Sequence, residues 1–301
     1  QQLFFIALAL SAVVQVFALP IVGAFADRSE HKRRWLAGTA YTGAALTAAM
    51  FLVVPGRWQL GFALILIANV AFSASIVVYD SFLPEIADAD DRDRVSSRGW
   101  AFGYIGGGLL LLLNLVLFTL DPFGDEGLTV RISLGSAGLW WALFTIVPLR
   151  RLEDGPALRA GTAASGAVTG AFRELGRTMR QLAQYPETLK YLVAFLLFNG
   201  GVGTVIYAAG SYATEELGID LTTLTTAILM VQFVAFGGAL TLGALARRAG
   251  AKTVVLWSLA LWSAVVVYGR FVPAGNVLVF YLLAAAIGFV LGGTQALSRS
   301  L

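Results

Sequence analysis

Long apolar runs, broken by short polar clusters, follow one another along the whole chain. Crossing about 30 Å of hydrocarbon takes about 20 mostly apolar residues. Nine runs approach or exceed that length, at about Leu3–Phe25, Trp35–Val54, Trp58–Phe82, Trp100–Leu120, Val130–Leu149, Tyr191–Ala213, Thr223–Ala246, Thr253–Val272 and Val277–Leu297. Backbone groups in lipid must be satisfied internally, so runs of this length predict helices. A membrane β-barrel does not fit, because its strands alternate over ~10 residues and build no continuous apolar run.

The polar clusters fall on alternate sides of these spans. Arg28, Lys32, Arg33, Arg34, Arg92, Arg94, Arg98, Arg150, Arg151, Arg159, Arg173, Arg177, Arg180, Lys190, Arg247, Arg248, Lys252 and Arg299 share one side. Only Arg57, Arg131 and Arg270 lie on the other, so the 21 basic residues divide 18 to 3. The positive-inside rule makes the first side cytoplasmic. The chain then starts outside and ends inside, and Asp121, Asp125, Glu126, Glu215, Glu216 and Asp220 sit in the outer loops. One cytoplasmic connection, from about Arg150 to Lys190, is much longer than the rest. Its Gly161–Gly170 stretch reads as a flexible linker. Beyond it, Phe172, Leu175, Met179 and Leu182 share a helical face, with Arg173, Arg177 and Arg180 on the others. That pattern predicts an interfacial helix on the inner leaflet, with a solvated basic linker as the alternative.

Composition narrows the functional classes. Of 301 residues, 58% are hydrophobic and 13% charged, half the charge of a soluble domain. Mean hydropathy is +0.77. A disordered chain, a nucleic-acid-binding module and an ordinary cytosolic enzyme are excluded. The net charge of +3 reports loop orientation. With no cysteine and one histidine, His31, thiolate catalysis and histidine-based metal sites or triads are not expected. No phosphate loop occurs, so ATP is not the evident energy source, and no cofactor is implied. The chain is read as a non-enzyme that moves a solute.

An internal repeat carries the most information. Gly23-Ala-Phe-Ala-Asp27-Arg28, followed by Lys32-Arg33-Arg34, closes the first hairpin. Gly243-Ala-Leu-Ala-Arg247-Arg248-Ala-Gly250-Ala-Lys252 closes a later one, on the other side of the long linker. This pair resembles the short basic loops between helices 2 and 3, and 8 and 9, of the major facilitator superfamily. Tyr79-Asp-Ser-Phe-Leu-Pro-Glu-Ile86, Val95-Ser-Ser-Arg-Gly-Trp-Ala-Phe-Gly-Tyr-Ile-Gly-Gly107 and Gly292-Gly-Thr-Gln-Ala-Leu-Ser-Arg-Ser-Leu301 are similar to its vacuole-effluxer-like branch, also called the unknown major facilitator family. The resemblance covers nearly the whole chain. It implies an all-α membrane protein, a helical bundle of two pseudo-symmetric halves with nine of twelve helices present, helices 1, 11 and 12 being absent. The halves expected are 1–149 and 191–301, joined by the linker 150–190. Two departures stand out. The family pattern has Asn-Asp-Gly in helix 7 where this chain has Asn199-Gly200-Gly201, which argues against proton coupling through an acid there. It has Tyr-Asn in helix 4 where this chain has Tyr79-Asp80.

Candidate site residues fall in two groups. Gln15, Asn69, Asn199 and Gln232 lie near mid-span, with Tyr104 on helix 5. Amides offer donors and acceptors together, which suits a polar solute, although each could equally bond two helices. The adjacent glycines after Asn199 could also unwind helix 7 and bare carbonyls to a cavity. At the cytoplasmic ends, Gly23, Asp27, Arg28, Asp80, Glu85, Arg98, Gly243 and Arg247 are gate candidates by the resemblance, orientation and solvation being the bland alternative. No span has a charge at its centre, which argues against a buried carboxylate relay. The expected function is secondary transport of a small polar solute by alternating access. The resemblance adds amino acids as substrate class, a bacterial-type plasma membrane or an organelle membrane as location, and a proton or other ion as coupling partner. Partners are thus lipid and solute, with no nucleic acid. A non-transporting receptor or scaffold of the same fold, or a carrier of lipid-like amphiphiles, is the alternative.

Overall fold

The computed structural model describes residues 2–88, 90–155, 176–177, 180–182 and 184–300, with the side chains of Gln2, Asp27, Arg28 and Ser300 outside that description. The long helices are α1 (Gln2–Arg28), α2 (Lys32–Ala48, extended by a 3-10 turn Ala49–Leu52) and α3 (Trp58–Asp80). A short α4 (Leu83–Ile86) precedes α5 (Arg92–Leu120) and α6 (Glu126–Arg151). Then come α7 (Pro186–Ser211, running into a π turn Tyr212–Glu216), α8 (Leu221–Ala249), α9 (Ala251–Gly269) and α10 (Val277–Ser300). Among the described residues, nine helical segments are long and apolar enough to cross a membrane, and there is no strand. The fold is that of an all-α membrane protein. The expected linker and interfacial helix fall largely outside the described residues.

Several helices overrun the apolar windows. α5 begins at Arg92 instead of Trp100, and α7 at Pro186 instead of Tyr191. Hydropathy marks only the part in hydrocarbon, whereas a helix can continue into water by the same backbone bonds. The outer starts are capped. Asp125 accepts from the Leu128 amide at 3.0 Å to open α6, and Asp220 accepts from the Thr223 amide at 2.9 Å to open α8. The two repeated hairpin loops differ in detail. In the later one, Gly250 turns the chain at φ +83, a left-handed value that favours glycine. In the first, Ser29 Oγ accepts from the His31 amide at 3.0 Å and no glycine is used.

Packing divides the chain into two compact units, Gln1–Ile86 with Val116–Gln184, and Ala87–Leu115 with Tyr185–Leu301. The first 24 residues of α5 therefore pack with the later helices, although the repeat groups them with the earlier ones. Ser96, Ser97, Ala101, Gly107 and Gly108 give α5 a small-residue face. It meets Ala239, Ala296, Gly243 and Gln232.

In the first unit, α2 packs on both α3 and α6. A Cβ on Gly138 of α6 would overlap the backbone of Ala44 and Ala48, and one on Gly43 would overlap the Trp141 ring. Trp141 in turn meets Phe72 of α3 edge-on, with ring centroids 5.6 Å apart. In the second unit, α8 and α10 make the most extensive contact. Gly288 lies against the Val231 backbone, Gly292 against Ala235 and Gly238 against Phe289. Without a solvent-driven force between helices in lipid, close approach of small residues supplies the association. The large apolar side chains turn outward instead, as with Leu196 and Leu197 of α7, 70% and 73% exposed. In water that surface would be a liability; in lipid it is the solvated face.

Candidate functional site

The polar groups of the second unit gather along α5. Tyr104 is buried, and its hydroxyl donates to Gln295 Oε1 of α10. One turn further out, Gly107 and Gly108 leave room for Gln232 of α8. A Cβ on Gly107 would lie 3.2 Å from Gln232 Nε2, and one on Gly108 would lie 3.2 Å from Gln232 Cβ. Gln232 is half-buried and makes no hydrogen bond among the described residues. Toward the cytoplasm, Ser96 Oγ donates to the Ala296 carbonyl at 2.7 Å. Ser97 presses against Gly243, where a Cβ would come within 2.6 Å of Ser97 Cβ. The Ser97 hydroxyl and the Trp100 indole N–H are buried without a hydrogen-bond partner among the described residues. This α5 face can therefore offer hydrogen bonds at mid-span and is sealed by small residues and Trp100 below.

The other midplane candidates behave differently. Asn69 donates to Ser11 Oγ at 2.9 Å, and Ser11 Oγ donates to the Leu8 carbonyl at 2.7 Å. That chain joins α3 to α1. Gln15 is half-buried on α1, and Asn199 stands on an exposed face of α7. α7 does not unwind at Gly200 and Gly201. It stays helical throughout, and Thr204 Oγ1 donates to the Gly200 carbonyl at 2.9 Å. Opening the ladder there would strand backbone groups in lipid, which outweighs the low helix propensity of two glycines.

At the cytoplasmic end of the first unit, Glu85 of α4 pairs with Lys32 at the start of α2, Nζ to Oε1 2.5 Å. The Lys32 side chain is 2% exposed and the Glu85 side chain 23%. Phe82 lies beneath, its ring centroid 5.9 Å from Nζ. Next to it, the Arg33 amide donates to Asp154 Oδ1 at 2.8 Å and its guanidinium donates to the Leu149 carbonyl, tying α2 to the exit of α6. Ala26, Leu36, Val78 and Phe82 form the apolar floor under these charges. Among the gate candidates, Glu85 thus stands in a buried ion pair and Gly243 in a tight contact. Asp80 ends α3 half-buried, and Gly23 meets Val77 at ordinary distance. Arg98 and Arg247 are exposed, and the side chains of Asp27 and Arg28 lie outside the described residues. Sequence reasoning missed Lys32 and Gln295. Lys32 is one of three consecutive basic residues and nothing marks it for burial. Gln295 sits in the quoted α10 segment, but depth on a helix does not give its facing.

Among the described residues, nine apolar helices, outward leucines and uncharged polar groups held inside a helical unit define a polytopic α-helical membrane protein. The family model described as "Vacuole effluxer Atg22 like" matches residues 2–301, and the chain belongs to that family. It is 29% identical over 299 residues to a Bacillus subtilis protein named "Uncharacterized MFS-type transporter YxiO", a match covering 97% of this chain and 68% of that protein. It is 25% identical over 374 residues to "Autophagy-related protein 22-1" of Penicillium rubens, covering 97% of this chain and 63% of the relative. It is 28% identical over 225 residues to "Autophagy-related protein 22" of Cryptococcus neoformans, covering 69% of this chain and 40% of that one. The chain thus spans about two thirds or less of the length of these relatives.

Proposed function

We propose that this chain works as a secondary transporter that moves a small polar solute across the membrane by alternating access, with amino acids as the solute class. The observation that carries the reading is the inward face of α5, where Tyr104, Gln232 and Gln295 present uncharged hydrogen-bonding groups from near mid-span toward the cytoplasmic end. An amino acid carries both donors and acceptors and needs such a lining. The membrane is a bacterial-type plasma membrane, in keeping with the bacterial relative. A proton or other ion couples the movement. Gln15 and Asn69 in the first unit and Asn199 in the second are further candidates for solute contact. Gly23, Asp27, Arg28, Asp80 and Glu85 in the first unit, with Lys32 as the partner of Glu85, and Arg98, Gly243 and Arg247 in the second, take part in gating. The halves 1–149 and 191–301 are the working bodies, joined through 150–190. Full-length protein in proteoliposomes, given labelled amino acids with and without a pH gradient, tests this. Saturable uptake is expected, and a gradient that leaves the rate unchanged removes the proton as coupling ion. Lack of uptake for the whole panel favours a receptor or scaffold of the same fold.

One observation favours a second reading. A cavity of about 500 Å³ opens among α7, α8, α9 and α10, lined by Val205, Tyr212, Leu224, Val231, Phe280 and other apolar residues, with Arg270 as its charged member. Such a lining would accept the tail of an amphiphile with an anionic head. Uptake or flipping of a fluorescent phospholipid, in place of amino-acid uptake, would establish that reading instead.

A further inference from the structure

The Tyr104–Gln295 bond fixes more than packing. A glutamine amide has one acceptor oxygen and two N–H donors. Here the acceptor already takes the Tyr104 proton, and Gln295 Nε2 has no acceptor among the described residues. Gln295 is half-buried, so that nitrogen is neither sealed in the core nor bonded. Gln232, against the same face of α5 one turn away, also keeps its amide unbonded among the described residues. Half-buried donors leave a hydrogen-bonding need that water or a solute can meet and lipid cannot. Nearby, Gly107 and Gly108 keep α5 clear of side chains.

Building on the solute-transport reading, we propose that Gln295 is a specificity-determining residue, held by Tyr104 so that its Nε2–H donors, together with the Gln232 amide, receive an acceptor oxygen of the solute, namely a carboxylate. Tyr104 is then a positioning residue. It anchors Oε1 of the amide on α5 and so sets the direction in which the Nε2–H donors point. A carboxylate fits better than a neutral carbonyl, because hydrogen bonds to ionised acceptors are shorter and about twice as strong.

The test uses full-length protein in lipid nanodiscs, with affinity read for alanine, phenylalanine and glutamine, their carboxamides and their decarboxylated amines. Wild type should bind the acids about tenfold or more tighter than the amines, the factor that one lost hydrogen bond to a charged group gives. The carboxamides should fall between. Gln295→Glu places a like charge against the carboxylate and should lower affinity for the acids about tenfold or more. Gln295→Met, of similar length but without donors, should do the same and serves if the glutamate variant fails to insert. Tyr104→Phe should reduce the acid-over-amine preference about threefold to tenfold with melting temperature nearly unchanged, since the ring stays in place. A merely structural Tyr104 would lower the melting temperature and leave the preference alone. Equal affinity of wild type and Gln295→Met for the acids overturns this proposal while leaving solute transport standing. If the wild-type protein binds no member of the panel, both readings are overturned together.

Discussion

The two units hold their helices together by the same device and differ in the kind of polarity they bury. In each, one helix pair meets backbone to backbone through glycine, at Gly138 in the first and at Gly238, Gly288 and Gly292 in the second. The first unit then buries charge at its cytoplasmic rim, in the pair Lys32–Glu85. The second carries neutral groups, the Tyr104 phenol on the Gln295 amide and the Gln232 amide beside Gly107. The difference follows solvation. A charge is tolerable near the headgroups, where water and phosphates are close, and costs at least ~2.5–3.5 kcal/mol at the bilayer centre. Amides are far less costly there. A rim can thus be fastened electrostatically, whereas a solute path through the centre has to be built from neutral groups.

The strongest challenge to the shared device is steric. Gly138→Leu and Gly292→Leu should each abolish folding, since even one added carbon meets backbone atoms that cannot swing aside. Size-exclusion profiles of the purified variants check this, and a well-folded Gly292→Leu would show that only the first unit depends on backbone contact. Next in size is the rim charge. Glu85→Ala leaves Lys32 buried and unpaired and should cost about 3 kcal/mol, at the low end for buried pairs because Glu85 is partly exposed. The double variant Lys32→Met with Glu85→Leu should recover most of that loss. Chemical unfolding in detergent measures both, and a double variant as unstable as the single one would mean the pair is irreplaceable.

A smaller effect separates the midplane amides. Asn69→Ala breaks the bond to Ser11 and should cost ~0.6–2 kcal/mol of stability. Gln232→Ala breaks no hydrogen bond to the described residues and should cost less than about 0.5 kcal/mol while weakening solute affinity. Melting curves and binding isotherms on the two variants should give opposite orders, and matching orders would erase the distinction drawn between the units. The smallest effect lies at an outer cap. The Thr223 hydroxyl, and then its amide, hydrogen-bond the Asp220 carboxylate and hold it below the usual carboxylate range. A lowered folded-state value means that the cap stabilises fully above the unfolded-state value of about 3.9, and that this is lost as pH falls through the lower folded-state value. The gap in melting temperature between wild type and Asp220→Ala should therefore be small at pH 7 and close as pH falls through that window. A gap independent of pH would sink the electrostatic account of the cap.

The spans were legible because bilayer thickness imposes a length that any apolar run either meets or fails. The polar start of α5 was not, since outside hydrocarbon a helix carries no hydropathy signal and Arg92–Arg98 read as loop. The place of α5 among the later helices was hidden too, because small residues such as Ser97 and Gly108 mark a close contact without naming its partner. Asn69 and Gln232 looked alike in sequence, both being amides at half-depth. What separates them is facing, toward Ser11 in one case and toward two glycines in the other. The burial of Lys32 depends on Glu85, 53 positions away, and nothing in a basic cluster singles out the residue that will turn inward.

The backbone contact between α8 and α10 sets a scale as well as a fastening. Gln232 and Gln295 ride on these two helices, and no flexible side chain lies between Gly288 and the Val231 backbone or between Gly292 and the Ala235 backbone to let them creep. The spacing of the two backbones that carry the amides is therefore a fixed gauge, and only side-chain rotation changes the distance between the amides. On the proposed solute path, a molecule that reaches both amides is measured against that backbone spacing, with only the play of two glutamine side chains to absorb a misfit.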